Sequence, residues 1–356
     1  MADKQAPLLN VQHLTTSFLI DSGWYPAVRD VSFTLAANET LALVGESGCG
    51  KSVTAMTIMR LLPEHGSRVD TGRVLLGGSD LLTLDEAATA AVRGNRIAMI
   101  FQEPMTALNP VLPVGFQVAE PLLAHRAISR AAALDAAIAL LDRVGIPAAA
   151  KRARNYPHEF SGGMRQRVMI AMALACEPDV LLADEPTTAL DVTIQAQVLD
   201  LLAELKAERA MGMVLITHSL GVVATVADRV AVMYAGEIVE TADVITLFDT
   251  PTHPYTEGLL RAIPRADRSD VVLQAIPGTV PAIDRMPAGC RFAPRCPLVR
   301  EVCRTQVPPL VLLNGDARHL VRCWVRTDAT PEQRSDDHAA RYDDAALSAS
   351  HAKAAR

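Results

Sequence analysis

The eight residues Gly45–Ser52, GESGCGKS, constrain this chain more than any other feature. Ahead of them TLALV (residues 40–44) is a short apolar run suited to a buried parallel strand. Behind them VTAMTIMRLL sets Val53, Met56, Ile58, Met59 and Leu62 at helical spacing. Strand, glycine loop, helix is the context that G-x-x-x-x-G-K-[ST] requires, and Gly45, Gly50, Lys51 and Ser52 fill it. The glycines let backbone N–H groups across Gly45, Glu46, Ser47, Gly48, Cys49, Gly50, Lys51 and Ser52 converge on phosphate, and the helix N-terminus adds a favourable dipole. Lys51 is expected to reach the β- and γ-phosphates and the Ser52 hydroxyl to ligate Mg²⁺. The chain is read as binding a nucleoside triphosphate; the loop alone does not say to what end.

Composition narrows the setting. A length of 356 residues predicts one large or two unequal domains. The net charge of −6, without a basic excess, gives non-specific nucleic-acid binding no support. The N-terminal MADKQAPLLN has no apolar signal core, and the best apolar run, VMIAMALAC, stops far short of a membrane span. Six cysteines in such a chain predict reduced thiols or a metal site in the cytoplasm.

Residues 8–44 read as strand-rich, and VLLGG and RIAMIFQ continue the pattern to Phe101. Residues 103–178 turn alanine-rich and helical, with Ser129 as an N-cap and Gly145 at a helix end. Strand-like segments return at Asp179–Glu185, Met211–His218 and Arg229–Glu240. The helix between the first two places Ile194, Val198, Leu201, Leu202 and Leu205 on one stripe. Alternating strands and helices predict an α/β fold with a largely parallel sheet, interrupted by a helical insertion. After about residue 245 prolines crowd in and four cysteines gather, which predicts a small loop-rich appended domain. A tail over 326–356 is expected to be disordered.

DVLLADEP ends an apolar strand in Asp184, suited to Mg²⁺, and Glu185, suited to polarising a water. FSGGMRQR opens a second anion-binding helix with Ser161, Gly162 and Gly163. Those residues resemble the signature of ABC-type ATPases, although Met164 stands where glutamine is commoner. Gln102 in IFQEP resembles the Q-loop, TALD ending at Asp191 the D-loop, and His218 in ITHSL the switch histidine. The resemblance implies an ABC-type P-loop ATPase over residues 6–245, with a mixed sheet core, an antiparallel β subdomain and an inserted helical subdomain over about 103–178. It implies head-to-tail dimers that clasp ATP between one P-loop and the partner's signature. Glu185 then orients the hydrolytic water, His218 holds it with the γ-phosphate, and Gln102 senses Mg²⁺ and phosphate while Asp184 supports the ion. Phe18 stands where an adenine-stacking aromatic is expected, with Trp24 and Tyr25 as alternatives.

Two cysteine features add expectations. Cys49, beside a lysine and a helix N-terminus, is either a small isostere of serine or a thiol of lowered pKa whose alkylation blocks ATP binding. The late set, Cys290-x5-Cys296-x6-Cys303-x19-Cys323, has enough thiolates for zinc or an iron–sulfur cluster. HPYTEGLLRAIP, GCRFAPRCP and RCW resemble the C-terminal extension, here 246–325, of oligopeptide/dipeptide importer ATPases. That resemblance implies a [4Fe–4S] cluster holding the small domain together. It also implies a second ABC ATPase subunit, two membrane permease subunits at the inner face of the cell membrane, and an extracytoplasmic solute-binding protein. Peptides are the expected cargo, with nickel, glutathione or glycosides as alternatives. Non-transport ATPases of DNA repair or translation fit less well, because the helical block has no sustained heptads and the chain holds one cassette.

Overall fold

The computed structural model describes residues 6–21, 23–188, 190–262, 275–313, 316 and 318–327. The expected tail beyond residue 327 lies outside them. The chain forms two compact units, residues 83–216 being one and the flanking segments together the other.

In the flanking unit, β1 (Leu9–Ile20) and β2 (Gly23–Leu35) precede β3 (Thr40–Val44), and α1 (Lys51–Ile58) follows the glycine loop. After β4 (Ser67–Leu76) and β5 (Ser79–Asp80) an antiparallel sheet is complete, in the order β2-β1-β4-β5. Its buried pairs include Val11 opposite Phe33 and Leu14 opposite Val31, and β2 is buried throughout Val31–Leu35.

The inner unit begins with α2 (Glu86–Val92), β6 (Ile97–Ile100) and α3 (Pro104–Ala107). It continues through α4 (Val114–His125), α5 (Arg130–Arg143), α6 (Ala149–Arg152) and α7 (Gly162–Leu174). Then come β7 (Val180–Asp184), α8 (Val192–Arg209) and β8 (Gly212–Thr217). Strands β6, β7 and β8 are parallel neighbours, and β7 is buried throughout. Ser129 caps α5 as expected, its hydroxyl accepting from Ala132 N–H, and Gly145 beyond the helix has φ 79°. The stripe of α8 differs slightly from expectation: Val198, Leu199, Leu202 and Leu205 are buried, while Ile194 and Leu201 are half-buried.

The flanking unit resumes with α9 (Leu220–Val226), β9 (Arg229–Tyr234), β10 (Glu237–Asp243) and α10 (Val244–Asp249). The segment that reads as one strand-like run is a hairpin. Ala235 and Gly236, at φ 47° and 87°, reverse the chain between β9 and β10. The chain ends with α11 (Pro254–Arg261), α12 (Glu301–Thr305), β11 (Val311–Leu312) and β12 (Leu320–Val321). Within this unit β3 pairs in parallel with β9, and β12 lies antiparallel between β10 and β11. The C-terminal region thus extends the sheet. It also shares its apolar core: Tyr255, Leu260 and Phe292 pack with Val232, Tyr234 and Val239. Apolar packing therefore joins this region to the sheet, beyond the metal-based cohesion its proline-rich sequence predicts. Among the described residues no helix is long and apolar enough to cross a membrane.

Candidate nucleotide site

The phosphate loop is built where β3 stops. A Cβ on Gly45 would lie 2.1 Å from the Met233 carbonyl oxygen, so the loop passes too close to β9 for any side chain there. Gly50 caps α1 with φ 103°, a conformation that side-chain-bearing residues rarely adopt. Lys51 is buried, and its Nζ donates to the carbonyls of Gly45 (2.8 Å) and Glu46 (3.1 Å). The amine thus points into the concavity of its own loop, where phosphate oxygens can replace those carbonyls as acceptors. Ser52 is half-buried in the first turn of α1. The loop is pinned outside its motif as well, since Gly236 N–H of the hairpin turn donates to Cys49 O at 2.7 Å.

Cys49 is the loop's correction. Its thiol is buried, with Sγ 3.7 Å from Lys51 Nζ, and burial pushes its pKa up against the pull of the lysine. Desolvation disfavours a thiolate more than one nearby cation favours it. The shift thus runs opposite to the lowering expected beside a lysine and a helix N-terminus. Phe18 is half-buried on β1 opposite Tyr25 of β2, and the exposed Trp24 carries the Arg68 guanidinium 4.3 Å above its ring. His218 is exposed beyond β8, just ahead of α9, which Ser219 caps by accepting from Val222 N–H.

The inner unit holds the carboxylate pair and the second loop. Asp184, the last residue of β7, is buried. Glu185 follows in a left-handed conformation, φ 47°, with its N–H donating to Ile216 O at 2.9 Å. Its Oε2 accepts from Gln102 Nε2 at 3.2 Å and from Thr188 Oγ1 at 2.7 Å. Thr188 is absent from the sequence reading; a threonine three residues after the acid was its only signal. Ser161 caps α7 by accepting from Met164 N–H, leaving Gly162 in open space, while a Cβ on Gly163 would press on Ile194. Asp191 caps α8 by accepting from Ile194 N–H at 3.0 Å. Arg167 ties the signature helix to α8 through Gln197 Oε1 at 2.9 Å.

All six cysteines are free thiols. Cys303 shares a small core with Ala293 and Trp324, against which Cys290 packs. Burial raises the thiol pKa of Cys290, to about 12, and those of Cys296 and Cys323; each of the three also lies in the field of Cys303. The donor chemistry suits a thiolate-bound centre. Even so, among the described residues no three His, Cys, Asp or Glu side chains stand together as a metal-binding group. The expected ligand set of Cys290, Cys296, Cys303 and Cys323 therefore does not stand as a formed metal shell in this structure.

Sheet, phosphate loop, signature helix and carboxylate pair define an ATP-binding cassette, and the comparisons agree. The family model described as ABC transporter matches residues 28–188, and that of the oligopeptide/dipeptide transporter C-terminal region matches 239–303. The chain is 53% identical, over 89% of its length and 96% of the relative's, to a Brucella melitensis protein named as an import ATP-binding protein for peptides. It is 52% identical, over 90% of its length and 95% of the relative's, to the dipeptide transport ATP-binding protein DppD of Bacillus subtilis. Among solved structures, the dimeric cassette MJ0796 bound to ADP and phosphate aligns with TM-score 0.60 and 27% identity, covering 66% of this chain and 98% of that one. CbiO1 of Clostridium perfringens, at 23% identity and TM-score 0.58 over 69% of this chain and 92% of its own, shares the fold. The chain belongs to the ATP-binding subunits of ABC transporters, in the branch that carries the oligopeptide/dipeptide C-terminal region.

Proposed function

We propose that this chain is the ATP-hydrolysing subunit of an ABC importer that takes up di- or oligopeptides. The observation that carries the reading is the union, in one chain, of a complete cassette with the oligopeptide/dipeptide region. In this reading Gly45–Ser52 hold the triphosphate. Ser52, Asp184 and Gln102 would hold Mg²⁺, which would supply charge neutralisation of the phosphates. Glu185 orients the water, and its bonds from Gln102 and Thr188 fix the carboxylate before nucleotide arrives. His218 holds the γ-phosphate side, and Ser161, Gly162, Gly163 and Asp191 serve the partner's nucleotide across a head-to-tail dimer. Phe18 is our choice for the adenine contact.

The subunit works at the cytoplasmic face of the cell membrane, beside a second ATPase subunit and two permeases, and a solute-binding protein delivers cargo from outside. The permease contact falls on the segment from Gln102 to Pro121, where Val111 and Phe116 expose apolar side chains. Gln117, buried beneath, braces that loop through Asn109 and Leu112. Cys290, Cys296, Cys303 and Cys323 hold a [4Fe–4S] cluster, with zinc as the competing occupant; iron and acid-labile sulfide analysis of anaerobically purified protein tests it. The function is tested by the ATPase rate of the complex that copurifies with this chain, with and without peptide-loaded binding protein. Stimulation by peptides is expected. Permeases without a peptide response would reassign the cargo, and no membrane partner at all would overturn the importer.

A further inference from the structure

We infer that the C-terminal region sets nucleotide affinity from outside the motif by bracketing Glu46, with Arg295 as its positioning residue. The inference rests on the reading of Gly45–Ser52 as the phosphate loop. Glu46 is the loop's second residue. Its carbonyl accepts from Lys51 Nζ at 3.1 Å and from Cys49 N–H at 3.2 Å, which ties it to the amine meant for phosphate. Its other groups are held by residues more than two hundred positions away. Its N–H donates to Tyr255 Oη at 2.9 Å, and its two carboxylate oxygens accept from Arg295 Nη1 at 3.0 and 3.1 Å.

Arg295 is no mobile surface arginine. Its side chain is 5% exposed, its Nε donates to Pro277 O at 2.9 Å and its Nη2 to Ile276 O at 3.2 Å. The guanidinium also lies 5.7 Å from the Tyr234 ring centroid. Every nitrogen of the fork is thus committed, so its orientation is fixed before any ligand arrives. A carboxylate within a loop that receives a polyanion opposes binding and competes for Lys51. Arg295 cancels that charge and keeps the carboxylate turned toward the C-terminal region.

The sign of the effect follows. Removing the guanidinium leaves the Glu46 charge facing the phosphates, so Arg295→Gln weakens nucleotide binding. Removing the carboxylate relieves that penalty, so Glu46→Gln in the same chain restores binding. A residue that only supported the fold would give losses that add.

The test is a titration of the full-length chain with a fluorescent ADP analogue and Mg²⁺, at low salt and at 0.5 M salt. We expect Arg295→Gln to raise Kd by about tenfold, less so at high salt. The double variant Arg295→Gln, Glu46→Gln is expected to recover most of that loss, and Arg295→Lys to fall between. An unchanged Kd for Arg295→Gln overturns the inference, as does a double variant no better than the single one. Should Arg295→Gln fail to fold, Tyr255→Phe removes only the acceptor for Glu46 N–H; a severalfold rise in Kd at unchanged melting temperature supports the bracket, and an unchanged Kd overturns it. A wild-type chain that binds no nucleotide overturns the phosphate-loop reading itself, whereas binding that ignores both positions overturns this inference alone.

Discussion

Glu185 shows how much one side chain can be pre-positioned. Its left-handed backbone turns the carboxylate out of the strand direction, and two donors, Gln102 and Thr188, then hold one oxygen. Glu185→Gln is expected to cut ATP turnover by about 10²-fold or more while nucleotide binding persists, a split that steady-state ATPase and equilibrium titration resolve. Thr188→Val, which removes one of those donors, is expected to lower turnover by less, again without loss of binding. At Cys49 the burial of the thiol sets the outcome. Iodoacetamide at neutral pH should modify Cys49 more slowly in the folded chain than in the urea-unfolded chain, which peptide mapping after timed alkylation measures. The residues proposed to touch nucleotide, Phe18 apart, could be picked out in the sequence because each sits in a short motif whose geometry is local. Burial of Cys49 was not, since it depends on β9 lying against the loop, almost two hundred residues away.

Elements are decided at their ends. Ser129, Ser161, Asp191 and Ser219 each accept a backbone N–H three residues ahead, and the first was readable because a hydroxyl residue opens an alanine-rich run. α11 uses a rarer device. His253 is its N-cap, with Nδ1 accepting from Tyr255 N–H at 3.1 Å, an arrangement that needs a neutral ring. Burial lowers the His253 pKa from 6.5 to about 4, against the raising effect of Glu240; Arg322 also acts on it, and Phe292 packs beside it. The folded pKa is the lower one, so the unfolded chain takes up a proton that the folded chain refuses. Stability from this group is complete above about pH 6.5 and is lost as pH falls from there toward 4, by about 3 kcal/mol in total. His253→Asn keeps a side-chain acceptor and is expected to flatten that part of the slope, read as the wild-type minus variant difference in denaturant midpoint from pH 7 to pH 4.5. The hairpin of β9 and β10 escaped the sequence reading because Ala235 carries no turn signal of its own, although Gly236 beside it does.

Across the whole molecule, the C-terminal region reaches back over most of the chain. Arg322 donates to the Asp30 carboxylate on β2 at 3.0 Å, and Arg291 reaches Ala235 O at the hairpin turn and Pro26 O. Glu240, fully buried, accepts from the N–H groups of Thr252 and His253 and pairs with His319 Nε2. A chain ending at residue 245 would lose these partners together with β12 and α11, exposing the β10 edge and the apolar side chains that Tyr255, Leu260 and Phe292 cover. Such a truncated cassette is expected to be largely insoluble, as fractionation after expression would show. The α/β class, the motif order and the place of the appended region were all legible, because periodicity and spacing are local properties. The wiring between residue 46 and residues 255 and 295 was not, since sequence separation hides it.

That wiring has a consequence for synthesis on the ribosome. The loop that closes around Lys51 emerges early, yet its outer supports, Tyr255 and Arg295, leave the exit tunnel only after two hundred further residues have been added. At about 5–20 residues per second, the nascent loop waits ten seconds or more for them. A message cut short, or a ribosome stalled before residue 295, would release a chain whose phosphate loop lacks its Arg295 support. Synthesis past residue 295, and not the appearance of the motif, is the event that completes the outer support of the loop.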